Sequence, residues 1–357
     1  MKKLLLLYLL VCFSVYIKAQ DLIEFESVDR KILSIPISQT WSAASLARFI
    51  QFNFKTDREK LRAAYTWVTN NIAYSTDSMY AINWSGGHEA KITEALRRRK
   101  GVCENYAAIF NDVAVRVGLT SFVVDGYTKQ GGSTDRMGHS WCAICLQDEW
   151  LFCDPTWDKD AQNNTGYFLV NPDIFLETHM PFDPMWQLQY HPVPYRSFRV
   201  AADKKKALPF FNFPDSIKAF RQQSGLQQLQ ASVLRMKTAG QISELIKNRV
   251  AFTNMQIGLI YEERDMNLYN SAVAGLNHAT QIFNQLAEYR NNQLTPLKTR
   301  NEIADLFHFA TEDIRLAYKK IGELSEYNLQ YDPDELRYKL DGLLKKFQEQ
   351  EDFFKIN

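Results

Sequence analysis

Three side chains carry the chemistry that this sequence makes legible. Cys103 follows Gly101-Val102 and opens a stretch in which Tyr106, Ile109, Phe110, Val113 and Val117 recur at helical spacing. A thiol at the first residues of a helix feels the positive end of the helix dipole, and free backbone N–H groups there favour thiolate over thiol. The same N–H groups can stabilise an oxyanion. The plainer alternative is a small buried residue, the commonest fate of a free cysteine. His139 and Asp154 lie on two strand-like runs, His139-Ser140-Trp141-Cys142-Ala143-Ile144 and Trp150-Leu151-Phe152-Cys153-Asp154. A hairpin centred on Gln147-Asp148 would set Trp141 opposite Asp154, with His139 two places along on the same face. An imidazole oriented by a carboxylate is what a general base beside a thiol requires, so the three residues together describe nucleophilic attack on an acyl carbon.

These groups need elements to position them. Gly101 breaks the chain before the cysteine helix and Gly118 stops it. Strands are predicted over Ser121–Thr128, His139–Leu146 and Glu149–Asp154, rich in Val, Ile, Phe, Trp and Tyr. The linker Lys129-Gln130-Gly131-Gly132-Ser133-Thr134-Asp135-Arg136 reads as a polar, flexible loop, and residues 160–200 as a proline-rich irregular connection. Upstream, a helix is expected around Trp41 to Phe52. Thr56 with Glu59 forms a capping box ahead of Leu61, Ala64, Tyr65, Val68 and Ile72. A loop over 75–87 and a short helix around Ile92 to Leu96 follow. Beyond about residue 208 the pattern is helical throughout, with runs over 240–291, 299–325 and 333–355. A capping box at Thr299 and Glu302 and an Asp332-Pro333 helix start punctuate it. The expectation is an α+β domain over 20–207 and an antiparallel helical bundle over 208–357.

Gly101-Val102-Cys103-Glu104-Asn105-Tyr106-Ala107, then His139-Ser140-Trp141, then Trp150-Leu151-Phe152-Cys153-Asp154-Pro155-Thr156-Trp157-Asp158 resembles the core of the transglutaminase-like superfamily, a branch of the papain-type folds. Tyr65-Thr66-Trp67-Val68-Thr69-Asn70-Asn71-Ile72-Ala73-Tyr74 resembles its leading helix. Thr178-His179-Met180-Pro181 through Trp186-Gln187-Leu188 is similar to the extension of secreted bacterial members. The resemblance implies a cysteine helix packed on an antiparallel sheet, and a catalytic triad of Cys103, His139 and Asp154. It also implies an aromatic oxyanion donor upstream of the cysteine, for which Trp84 is the first candidate and Tyr74 the second, beside the Cys103 backbone N–H. Asn105 stands where members often have glycine, and Cys142 where they often have asparagine. The helical tail lies outside the family's shared core.

Composition excludes several alternatives. A formal charge of +1, with 46% hydrophobic and 23% charged residues, offers no bulk attraction to nucleic acid or anionic membrane. Lys2 and Lys3 before the apolar run Leu4–Tyr16, with Ala19 at a cleavage position, predict a signal peptide over residues 1–19 and a secreted or periplasmic protein without a membrane span. Cys103, Cys142, Cys145 and Cys153 are too few for a disulfide scaffold. The Cys142–Cys145 pair lacks the second pair that a zinc site needs. His88, His179, His191, His278 and His308 are read as surface or capped histidines, and no metal or cofactor is expected. The predicted function is a cysteine enzyme acting on amide bonds of peptides or proteins, by hydrolysis rather than crosslinking because the loop before His139 would leave the acyl-enzyme wet. The alternative is a silent fold that binds peptide or scaffolds the helical tail, whose partner the sequence does not name.

Overall fold

Residues 25–76, 88–159, 165–199, 208–239, 243–325 and 331–356 are described by a computed structural model. The predicted signal peptide and Trp84 lie outside them. Helix α1 runs through 25–33, followed by α2 (Ala43–Asn53) and α3 (Asp57–Asn71). The Thr56 capping box forms as the sequence predicts: the hydroxyl accepts from Glu59 N–H, and the Glu59 carboxylate accepts from Thr56 N–H. Strand β1 (Ala73–Tyr74) pairs in parallel with β2 (Lys100–Gly101), with α4 (His88–Arg98) between them. Helix α5 (Cys103–Arg116) ends at Val117, and Gly118 takes φ +92°.

The sheet follows. Strands β3 (Thr120–Gln130), β4 (Ser133–Leu146), β5 (Glu149–Cys153) and β6 (His179–Pro181) lie in the order β5-β4-β3-β6, all antiparallel. The β4–β5 hairpin has the anticipated register: Cys142 faces Cys153, Ala143 faces Phe152 and Leu146 faces Glu149. Gln147 and Asp148 make its turn, both at positive φ. The flexible loop expected over 129–136 is corrected. Those residues extend β3 and β4 into a long hairpin, because Gly131 and Gly132 reach φ +55° and +80° without a steric penalty. The Asp135 carboxylate accepts from the Thr128 hydroxyl across it. The irregular 160–200 stretch also carries order: α6 (Pro172–Phe175), β6, a 3-10 turn over Pro184–Gln187 and α7 (Tyr195–Arg199).

The strands alternate between two cores as their pleat requires. Cys142 and Ile144 join Cys153 against α2, α3 and α5, where Leu46, Tyr65, Trp67, Ile109 and Phe110 are fully buried. Trp141 and Ala143 join Val124 and Phe152 in a second cluster with Phe175, Met185, Phe213 and Ile217. The last two residues come from α8 (Phe213–Gln222).

After α8 the chain is helical: α9 (Gly225–Thr238), α10 (Glu244–Asn291), α11 (Arg300–Gly322) and α12 (Pro333–Ile356). Residues 1–224 with 231–250 form one compact unit, and 225–230 with 251–357 a second. In the second unit, Ala272, Ala279, Ile282 and Leu286 of α10 bury against Ala310, Ile314, Ala317 and Ile321 of α11 and Leu336, Leu340 and Phe347 of α12. The Thr299–Glu302 capping box and the Asp332 cap start α11 and α12 at the expected places. No described helix is long and apolar enough to cross a membrane.

Candidate active site

Cys103 is the first residue of α5, and the turn before it is built by two neighbours. Asn105 N–H donates to the Val102 carbonyl (2.9 Å), and the Val102 N–H donates to Asn105 Oδ1 (3.0 Å). A Cβ on Gly101 would lie 2.6 Å from Asn105 Cβ, so the fold-back of Asn105 requires glycine there. The asparagine that departs from the family pattern therefore caps the cysteine helix. Lys91 of α4 pairs with Glu104 at 3.0 Å.

His139 sits in β4 opposite Gly126 of β3, its side chain only 10% exposed. Its Nε2 lies 2.6 Å from Asp154 Oδ2. Asp154 is fully buried just past the end of β5, where its backbone N–H donates to the Tyr167 carbonyl and its carbonyl accepts from the Tyr65 hydroxyl of α3. Its Oδ1 accepts from the N–H groups of Thr156 (2.8 Å) and Trp157 (3.3 Å). Burial works against a charge on Asp154, but His139 and then His179 outweigh it and hold the carboxyl well below the usual range. Burial likewise disfavours charge on His139. The charge and hydrogen bond of Asp154, then those of Cys103, overcome it and push the imidazole up to about 10. Since an ionised carboxylate only accepts, His139 Nε2 must carry a proton.

His179 corrects the sequence reading. It is fully buried, not a surface group, and its Nε2 lies 3.1 Å from the same Asp154 Oδ2. Thr178 Oγ1 lies 2.8 Å from its Nδ1. Phe175 stacks on the ring at 4.0 Å, and Trp157, Trp141 and Tyr167 surround it. Burial lowers its pKa despite the hydrogen bond to Asp154, which disfavours a charge on the ring. His191, His278 and His308 are exposed as expected, and His278 pairs with Asp313.

Tyr74 is brought near Cys103 by the β1–β2 pairing, which sets it beside Gly101. Burial raises its pKa, and the charge of Cys103 adds to this. Cys142 and Cys145 stand three residues apart on one strand and so project to opposite faces, which prevents them from sharing a metal. Cys142 is buried with its Sγ 3.3 Å from the Ala107 carbonyl, and all four described cysteines are free. His139, Asp154 and His179 place ligand-type atoms within 4.8 Å of one another. Both imidazole nitrogens already donate to the carboxylate, so an ion there would have to displace two hydrogen bonds. A cleft of about 430 Å³ beside the site is lined by Lys129, Gln130, Gly131, Trp157 and Thr178. The Trp157 ring lies 6.0 Å from that of His139.

Residues 44–155, which include Cys103, His139 and Asp154, match the family model described as the transglutaminase-like superfamily. The chain is 28% identical over 197 residues to kyphoscoliosis peptidase of Homo sapiens, covering 50% of this chain and 29% of that protein. It is 26% identical over 208 residues to hillarin of Drosophila melanogaster, covering 50% and 24%. The chain therefore spans less than a third of the length of these relatives. Among solved structures it is similar to the periplasmic domain of TgpA from Pseudomonas aeruginosa, at 21% identity and a TM-score of 0.26, covering 37% of this chain and 48% of that one.

Proposed function

Proceeding from a chain that carries a transglutaminase-like core domain in residues 44–155, we propose that it is a cysteine-dependent hydrolase of amide bonds in peptides or proteins. The observation that carries this reading is the fully buried Asp154 carboxylate bonded to His139, with Cys103 at the first residue of α5. The thiol proton rests on His139 Nδ1 in a thiolate–imidazolium pair, and the Cys103 thiolate Sγ attacks the carbonyl carbon. The Cys103 backbone N–H receives the developing oxyanion at the helix start, with Tyr74 as the nearby aromatic hydroxyl. The C–N bond then breaks as the imidazolium gives its proton to the departing amine, leaving a thioester. Water attacks that thioester, its proton goes to His139, and thiol and carboxylic acid are released. Asp154 keeps the imidazole in the tautomer that both halves need.

Water rather than an amine as acceptor is supported by the cleft beside His139, one wall of which is the polar Lys129-Gln130-Gly131 hairpin end. Lys2-Lys3, the apolar run Leu4–Tyr16 and Ala19 support export before the enzyme acts. The test incubates the protein and its Cys103→Ser variant with a glutamine-containing unfolded protein and excess labelled primary amine. Cys103-dependent peptide or side-chain hydrolysis exceeding amine incorporation is expected. Dominant incorporation would reverse the acceptor. No Cys103-dependent product, with retained peptide binding, would favour a silent binding module.

A further inference from the structure

The Asp154 carboxylate serves two imidazoles, and only one of them faces the thiol. His179 arrives from β6, at the sheet edge farthest from β5, where it pairs with Thr128 of β3. Its Nε2 and that of His139 meet on the single atom Oδ2, at 3.1 Å and 2.6 Å, while Oδ1 is taken by two backbone N–H groups. An ionised carboxylate cannot donate, so His179 Nε2 carries a proton; Nδ1 lies 2.8 Å from the Thr178 hydroxyl, which is also 3.4 Å from the Phe175 carbonyl. Phe175 stacked at 4.0 Å and Trp157 at 4.3 Å hold the ring in that orientation. The groups able to charge around it are Asp154, His139 and the Tyr167 phenol, whose ring lies 5.5 Å away.

We propose that His179 is a positioning residue: its Nε2–H fixes the rotation of the Asp154 carboxylate and shares its charge, so that His139 is presented with Nδ1 directed to Cys103. This rests on the thiol-enzyme reading, and it assigns a second histidine to that site. Without the His179 donor, Oδ2 has one partner, and the carboxylate can tilt about Oδ1, which the Thr156 and Trp157 N–H groups still hold, so that His139 loses its alignment. Phenylalanine at this position keeps the ring stack and removes the donor. Glutamine keeps an N–H donor and removes the stack. A role in packing alone and a role in positioning therefore rank the two variants in opposite orders.

The experiment uses the whole protein labelled with ¹⁵N-histidine. In the wild type, His179 should show a protonated Nε2 and an unprotonated Nδ1, with a low-field Nε2–H resonance beside that of His139. The opposite tautomer overturns the proposal without any variant. His179→Phe should shift the His139 Nε2–H resonance and lower kcat roughly tenfold at unchanged KM, as expected when a group that only aligns others is removed. His179→Gln should restore both to within about threefold. An unshifted His139 resonance in His179→Phe, or a glutamine variant worse than the phenylalanine one, refutes it. If the wild type shows no Cys103-dependent turnover, the enzyme reading fails separately, and the resonances still decide whether His179 positions Asp154.

Discussion

Asp154→Asn removes a charge at nearly constant shape, which makes it the sharpest perturbation of the site. The amide oxygen must keep the N–H groups of Thr156 and Trp157, so the NH2 group turns toward His139 and His179. Two donors then confront two donors, and His139 escapes by moving its proton to Nδ1, the nitrogen that should receive the thiol proton. The electrostatic part is large. A rise from 6.5 to about 10 in the His139 imidazole represents a preference for imidazolium on the order of 5 kcal/mol, supplied by Asp154 and Cys103 against burial. With the carboxylate gone, burial dominates and the imidazole should titrate below its ordinary value. The wrong tautomer behind a nucleophile costs on the order of 10³–10⁴ in kcat. Stability should change with a definite pH signature. The raised His139 pKa stabilises the fold fully below the unfolded value of roughly 6.5, and that contribution is lost as pH climbs through about 10. The depressed Asp154 pKa contributes above the unfolded value of roughly 3.9 and is lost as pH falls below it. The gap between wild type and Asp154→Asn should therefore be widest between about pH 4 and 6.5, and a broken buried pair sets it at about 3 kcal/mol. Denaturant unfolding from pH 3 to 10, with a proton NMR titration of His139, measures both. An Asp154→Asn imidazole that still titrates near 10, or a gap that grows above pH 8, would refute the reasoning.

Iodoacetamide with peptide mapping at neutral pH should label Cys103 first. Cys145 is held as thiol by burial and then Asp148, and Cys142 and Cys153 are buried thiols with strongly raised pKa values; faster labelling of any of them contradicts the assignment. Gly126→Ala should destabilise by roughly 3 kcal/mol, since its Cβ would lie 2.2 Å from the Met180 carbonyl oxygen and 2.3 Å from the Trp141 ring. A melting temperature within a degree of wild type would mean that β6 and Trp141 yield easily. Asn105→Ala should cost about 1 kcal/mol through the lost bond to Val102 N–H at the start of α5, read as a lower denaturant midpoint. A fragment of residues 251–357 should melt cooperatively with strong helical circular dichroism, because its buried cluster lies wholly within it; an unfolded fragment would show that those apolar faces need the rest of the chain.

What the sequence made legible here is local. The β4–β5 register follows from a two-residue turn and a period of two, which together bring His139 and Asp154 to one place without knowledge of the rest of the fold. Capping boxes at Thr56 and Thr299 are likewise written within four residues. His179 was not legible, because nothing in a three-residue strand among prolines says that it joins the far side of β3. Its only signal was the Thr178-His179-Met180-Pro181 stretch of the resemblance, which names a segment and no role. The Lys129–Arg136 segment misled because glycine and polar residues mark a tight hairpin as readily as a loop. In α10 the helical period runs unbroken for 48 residues, and a period alone does not say that the residues up to 250 belong with the first unit and the rest with the second.

The four acceptor directions of the Asp154 carboxylate are all filled, and this has a consequence on the scale of minutes and hours. The amides of Thr156 and Trp157 close onto Oδ1, so their deuterium uptake depends on the carboxylate remaining charged and turned toward them. Two backbone amides thereby become clocks for a side chain that no optical probe can see. Their exchange should quicken together, ahead of the strands around them, under any condition that releases either histidine from the other oxygen.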